Sequence, residues 1–212
     1  MDYSKYWIGV DKSAYHKRRY WHIREAVRAN ISGRVLDVGG GNGQLLEYFG
    51  VKRADIADIS VSAKNDKFNY IECDLNTCFP GGTYDTIIVS ELLEHIKNPA
   101  KIIANAYEHL CDNGKVILIQ PNMRADGEHH LHRLYPKDCI RLMSDMRTVY
   151  SDYVPAFIDQ AAIIDDIFSH GKRKSLACLA LSLLPWVVKY VAAHIFPERF
   201  ALMTVIIGQK AE

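Results

Sequence analysis

A doubly wound α/β fold, built on a mostly parallel sheet, follows from three features of the sequence. An apolar, β-branched run, Arg34-Val35-Leu36-Asp37-Val38, breaks into Gly39, Gly40, Gly41 and Gly43. A short helical segment, residues 44–49, comes next, with Gly50 placed to end it. Strand-like and helix-like segments then alternate through five strands, as right-handed strand–helix–strand units do. One of these, residues 84–90, is nearly continuously apolar, which suits a parallel strand covered on both faces. Glycines at a strand-to-helix turn let the backbone take positive φ and let a ligand lie against bare main chain. In an open parallel sheet that crevice is where ligands bind.

Two kinds of ligand fit such a turn. A dinucleotide site reads Gly-x-Gly-x-x-Gly, with the pyrophosphate on the helix N-terminus. Counting from Gly39, the third glycine position is Gln44; counting from Gly41, it is Leu46. Both registers fail. The residues instead read Asp37-x-Gly39-x-Gly41-x-Gly43. An acid there suits a cationic, aminoacyl-bearing ligand and would repel a pyrophosphate. This pattern resembles motif I of the class I methyltransferases, which bind S-adenosylmethionine (AdoMet). The resemblance implies a Rossmann-like sheet of seven strands, the last inserted antiparallel between the fifth and sixth. It also implies AdoMet as the cofactor, held by Asp37, Gly39, Gly41 and Gly43. It spans about residue 33 to the C-terminus, apart from one insertion, within a single domain over residues 1–212.

Residues 1–32 are rich in aromatics and bases and are expected to form an N-terminal helical lid. Residues 15–30 can form one helix, with Tyr20, Ile23, Val27 and Ile31 on one stripe. The basic run Lys17-Arg18-Arg19 reads equally as a solvated helix face or as an anion-binding lid over the substrate.

Residues 33–153 are the expected AdoMet-binding core. Residues 54–60 give the second strand, and Asp58 lies 17 residues beyond Gly41. A carboxylate there can accept both ribose hydroxyls. Asp58-Ile59-Ser60 is similar to an acid-Ile-Ser signature of the family, which brings Ile59 into the cofactor set. Residues 68–75 are a third strand ending in an acid. The resemblance implies that Asp74 receives the adenine amino group and that Leu75 packs on the ring. Ser90, closing the fourth strand, completes the set. Asn98 and Pro99 open the next helix as cap and first residue, and the helix stops near Asp112-Asn113-Gly114. Residues 115–119 are the fifth strand. A helix from 136 to about 146 should turn Ile140 and Met143 inward. Residues 147–153 and 200–209 supply the last two strands.

The insertion is residues 155–198. Within it, residues 175–196 are apolar enough to suggest a membrane span. Pro185, Lys189 and His194 interrupt the run, and the chain must return to the sheet, so no span is expected. Three outcomes stay open: helices packed on the domain, a homodimer contact, or an interfacial patch for a lipid-linked acceptor. The last would place Lys172-Arg173-Lys174 against anionic head groups, making 172–196 a peripheral membrane contact.

Methyl transfer from a sulfonium is a direct displacement, which needs alignment and a dry site. A hydroxyl acceptor also needs its proton removed, by a base or by a metal. If Glu91 begins a helical turn, Glu94 and His95 follow on one face. His132 arrives from a later loop. Glu94, His95 and His132 are therefore the catalytic candidates. Glu-x-x-Glu-His with a distal His resembles the metal site of small-RNA 2′-O-methyltransferases and, in part, that of ubiquinone-pathway O-methyltransferases. Mapped here, the ligands of Mg²⁺, Mn²⁺ or Zn²⁺ would be Glu91, Glu94, His95 and His132. Metal-free class I enzymes carry the same Glu-His to shape the AdoMet pocket, so a metal-free site is the expectation. His129 and His130 read as solvated loop residues.

At 212 residues and 49% hydrophobic content the chain can fill one core. A net charge of +1 offers no general attraction for nucleic acid or membrane. DNA is not expected, and RNA is disfavoured further because no RNA-binding module is recognisable. The five cysteines are odd in number and lack metal-ligand spacing, so they read as reduced thiols of a cytoplasmic protein. Residues 1–7 carry no apolar signal core. The expected function is methyl transfer from AdoMet to a small-molecule, glycan or lipid-linked acceptor, first of all at oxygen. The alternatives are a metal-dependent RNA 2′-O-methyltransferase and a non-catalytic AdoMet-binding protein.

Overall fold

The computed structural model describes residues 13–59, 66–122, 130–155 and 185–211. Two helices, α1 (Ser13–Tyr20) and α2 (Arg24–Asn30), precede β1 (Val35–Val38) and α3 (Gln44–Phe49). Then come β2 (Asp55–Asp58), β3 (Asn69–Glu72), β4 (Tyr84–Ser90), α4 (Pro99–Glu108) and β5 (Leu110–Pro121). The chain closes with α5 (Pro136–Leu142), β6 (Arg147–Pro155), α6 (Trp186–Ile195), α7 (Pro197–Phe200) and β7 (Ala201–Gln209). The strand order is β3-β2-β1-β4-β5-β7-β6. The pairs among β1 to β5 are parallel, and β7 runs antiparallel between β5 and β6. This is the seven-stranded, doubly wound, Rossmann-like sheet.

The continuous apolar strands face two cores. Ile87 and Val89 of β4 and Val116 and Leu118 of β5 pack with Ile102, Ile103 and Ala106 of α4. Ile88, Ile117 and Ile119 look the other way, onto Tyr20, Ile23, Val27, Leu46 and Phe49. Each such side chain, fully buried, contributes roughly 1.5–3 kcal/mol. The sheet thereby fixes the crevice at its carboxyl edge.

Several local expectations are corrected. Residues 15–30 are not one helix; the chain turns at 21–23. The break lets α1 bury Tyr20 and lets α2 bury Val27, with Ile23 between them. Ile31 is the extended C-cap of α2. The turn expected at residues 112–114 lies inside β5, where Asn113 takes φ +62°, a conformation asparagine tolerates. Ile140 does not face inward and is 55% exposed; Cys139 on α5 and Met143, its C-cap, are buried. Not every cysteine is reduced: Cys73 and Cys78 form a disulfide, with Cα atoms 6.2 Å apart. A tight turn makes this possible, because the Asp74 carbonyl accepts from the N–H groups of Thr77 and Cys78. Cys111 and Cys139 are free thiols.

Of the insertion, residues 156–184 lie outside the described residues, Lys172-Arg173-Lys174 among them. Its end forms α6 and α7. No helix among the described residues is long and apolar enough to cross a membrane.

Candidate active site

The glycine turn is built by φ angles of +77° at Gly39, +54° at Gly41 and +78° at Gly43. The Gly39 N–H donates to the Ala57 carbonyl at 2.7 Å, tying the turn to β2. A Cβ on Gly40 would lie 2.5 Å from Asp37 Oδ2, so the backbone has closed onto the acid. Asp37 is 1% exposed, and neither carboxylate oxygen has a hydrogen-bond partner. Burial, and then the nearby Asp58 charge, push its carboxyl up to about 7. A buried carboxylate without donors is costly until a cation meets it. The ammonium of an aminoacyl ligand supplies one, so these residues fit AdoMet.

The other cofactor candidates line the same edge. Asp58 ends β2, and its Oδ2 accepts from the Gly41 N–H at 2.9 Å. The Cys73 N–H donates to the Asp58 carbonyl at 3.0 Å, bringing the β3 turn alongside. In that turn Asp74 Oδ1 accepts from Asn76 N at 3.0 Å. Leu75 and Ser90 are buried, whereas Ile59 is half exposed.

The raised Asp37 pKa gives a signed prediction. The folded chain holds this proton up to about pH 7, the unfolded chain only to about 4. The stabilisation from the protonated group is complete below about pH 4 and is lost as pH rises through 7. Binding of a cationic ligand runs the opposite way, because it needs the carboxylate. AdoMet affinity is expected to rise several-fold from pH 6 to 8, and this dependence should flatten in Asp37→Asn. Calorimetric titration across that range measures it.

The catalytic candidates sit just past β4. Glu91 does not open a helical turn. It takes φ +49°, a left-handed backbone that non-glycine residues rarely adopt. The turn is instead a short 3₁₀ segment, Leu93–His95. Glu91 is thus rotated toward α1, where Tyr20 Oη donates to its Oε1 and Arg19 Nη1 lies 3.4 Å from its Oε2. Burial, then the Glu91 charge, hold the Tyr20 hydroxyl well above its usual range.

Glu94 points into the core, 2% exposed, and accepts from Gln120 Nε2 at 3.0 Å. Burial pushes its carboxyl up to about 7. His95 Nε2 lies 3.9 Å from Glu94 Oε1. The Glu94 carbonyl accepts from Leu131 N at 2.7 Å and His132 N at 3.3 Å, which docks the histidine loop. The docking brings His130, not His132, against His95, with the rings tilted by 35° and their centroids 5.0 Å apart. Glu94, His95 and His130 offer donor atoms all within 4.8 Å of one another. His132 Nε2 instead lies 3.3 Å from the Lys97 carbonyl. His130 is therefore no solvated bystander, while His129 lies outside the described residues.

Arg19, Tyr20, Gln120 and His130 are the additions to the expected site. Arg19 was legible as one half of a choice, and Tyr20 only as a core position. Nothing in the sequence marks Gln120, which reaches Glu94 because β5 neighbours β4.

A family model described as a methyltransferase domain matches residues 14–152. The chain belongs to this methyltransferase family. Among curated relatives it is 24% identical, over 160 residues, to the ubiquinone biosynthesis O-methyltransferase of Psychrobacter arcticus, a match covering 67% of this chain and 62% of that one. Matches to the first relatives span 53–62% of their length. Two solved structures share the methyltransferase fold. One is the Haloferax volcanii protein in complex with the Trm112 methyltransferase activator, with TM-score 0.67, 14% identity, and coverage of 100% of this chain and 99% of that one. The other is the N-methyltransferase NodS of Bradyrhizobium japonicum with S-adenosyl-L-homocysteine, with TM-score 0.59, 13% identity, and coverage of 93% and 87%.

Proposed function

We propose that this methyltransferase transfers the methyl group of AdoMet to a hydroxyl oxygen of a small-molecule, glycan or lipid-linked acceptor. The observation that carries the proposal is the buried, unpartnered Asp37 on the glycine turn, with Asp58 and Asp74 along the same sheet edge. AdoMet, when bound, supplies a methyl group activated by its sulfonium. Asp37 holds the ammonium, Asp58 the ribose hydroxyls and Asp74 the adenine amino group, while Leu75 packs on the ring. Glu94 and His95 take the acceptor proton; a carboxyl near 7 is poised for that exchange at neutral pH. Arg19 and Tyr20, anchored on Glu91, close the crevice from the N-terminal side. The name of the P. arcticus relative supports oxygen as the acceptor atom and a lipid-linked acceptor.

Release of S-adenosylhomocysteine, followed over a panel of polyprenylated phenol, catechol, oligosaccharide and RNA, tests the proposal. Turnover with a hydroxyl acceptor other than RNA is expected. Binding of AdoMet with no turnover on any acceptor would point to the non-catalytic reading.

A second reading is favoured by the donor set of Glu94, His95 and His130. One carboxylate and two imidazoles could hold Zn²⁺ or Mn²⁺, which would lower the acceptor hydroxyl pKa. Glu91, engaged with Arg19 and Tyr20, is not part of that group. Overnight dialysis against EDTA should leave turnover within about twofold for the base mechanism and abolish it for the metal one.

Peripheral lipid contact is supported by α6, whose Val187, Val188, Val191 and Ile195 are exposed along one side. Co-sedimentation with anionic vesicles, against gel filtration for a dimer, separates the two uses of that surface.

A further inference from the structure

We propose that the Cys73–Cys78 disulfide is a redox clasp on the cofactor site, closed for tight AdoMet binding and opened by a dithiol reductant. The inference rests on the AdoMet reading and adds regulation to it.

The bridge spans residues 73–78, which include Asp74 and Leu75. Its Cys73 end and the loop it closes reach the rest of the site. The Cys73 N–H donates to the Asp58 carbonyl at 3.0 Å, and Asp58 in turn holds Gly41 through its carboxylate. Asn76, inside the loop, binds Asp74 Oδ1 and accepts from Lys97 N at 2.9 Å through its own Oδ1. Lys97 follows the Glu94–His95 segment and carries the carbonyl beside His132. The loop therefore joins the ribose acid, the adenine acid and the catalytic segment. Besides the covalent bridge, the turn is held by the Asp74 carbonyl accepting from Thr77 N at 2.8 Å and Cys78 N at 2.9 Å. Opening the bridge leaves a hydrogen-bonded turn that is looser, not one that is lost.

The access is asymmetric. Cys73 is 6% exposed, whereas Cys78 lies at the surface. A reductant thiolate attacks Cys78 Sγ, forming a mixed disulfide, and Cys73 leaves as a thiolate and takes a proton. The second thiol of the reductant then attacks the mixed disulfide and releases Cys78. The protein gains two electrons and two protons, and the dithiol becomes a disulfide. Once free, the Cys78 thiol has an acceptor at hand, the Asp74 carbonyl 3.4 Å from Sγ.

The experiment uses the full chain, oxidised with glutathione disulfide or reduced with dithiothreitol, and Cys78→Ser beside it. Cleavage after Lys67 and Lys97 leaves both cysteines in one peptide, which should be lighter by two hydrogen atoms in the oxidised sample. AdoMet titration should show the oxidised wild type binding about three- to tenfold tighter than the reduced one, since only loop order changes. Cys78→Ser, at an exposed position, should bind like the reduced protein in both buffers. A peptide of reduced mass after oxidation overturns the proposal. So does equal affinity in the two states, and in that case AdoMet binding itself survives. Failure of both states to bind AdoMet sinks the clasp together with the cofactor reading.

Discussion

Asp58→Ala is expected to weaken AdoMet binding by about 30- to 100-fold, which corresponds to roughly 2–3 kcal/mol. In the proposed site the carboxylate accepts both ribose hydroxyls, and hydrogen bonds to a charged group contribute about 1.5–3 kcal/mol each. The net loss is smaller than the sum, because water enters the vacated space and solvates the ribose. Asp58 also steadies the cradle itself, since its Oδ2 holds the Gly41 N–H. Asp58→Asn separates these effects: its carbonyl oxygen still accepts from Gly41 but no longer offers a charge. Calorimetry on the three proteins should rank them wild type, Asn, Ala. A loss under threefold for Ala would remove Asp58 from the ribose site. Thermal unfolding should change little, because the side chain lies at the crevice edge and not in a core.

His95→Ala should lower kcat by 10²- to 10⁴-fold, the usual range for a positioned acid–base group, while AdoMet affinity stays within about twofold. The split matters. A residue that merely shaped the cofactor pocket would lose binding along with turnover. His132→Ala should cost less than about threefold in kcat, because the imidazole is engaged by the Lys97 carbonyl. Equal losses for the two variants would show that the histidine loop turns over on the sheet and brings His132 to the reaction. The pH profile offers a second check. Glu94, pushed up to about 7 by burial, should place the acid limb of kcat near that value. The limb should vanish in Glu94→Gln, whose amide can still meet Gln120.

The fold was legible because strand positions are set by local pattern and the glycine turn by backbone sterics. Val35 to Val38 could end only in residues that accept positive φ, and Gly39, Gly41 and Gly43 stand there. The placement of Asp37, Asp58 and Asp74 was legible for a related reason: each lies at or just beyond the carboxyl end of a strand, and in a parallel sheet those ends meet on one edge. Pairings between distant segments were not legible. Nothing about Arg19 and Tyr20 in sequence tells that they meet Glu91, 72 and 71 residues away. Which of three loop histidines meets His95 depends on two backbone hydrogen bonds to the Glu94 carbonyl, and backbone donors carry no side-chain signature. The disulfide escaped for the same reason, since a five-residue separation becomes a bridge only when the intervening turn closes.

The pairing of β6 with β7 has an evolutionary consequence. Pro155 and Ala201 stand opposite each other in the register, so the sheet already holds together the two ends of the connection between them. Doubling the flexible length of a connection whose ends are already held costs only about 0.6 kcal/mol of closure entropy. Asp37, Asp58, Asp74 and the glycine turn all lie before residue 76, on or beside the far strands, away from changes in that length. Selection can therefore lengthen, shorten or rewrite this one segment while the glycine-turn half of the protein is inherited unchanged.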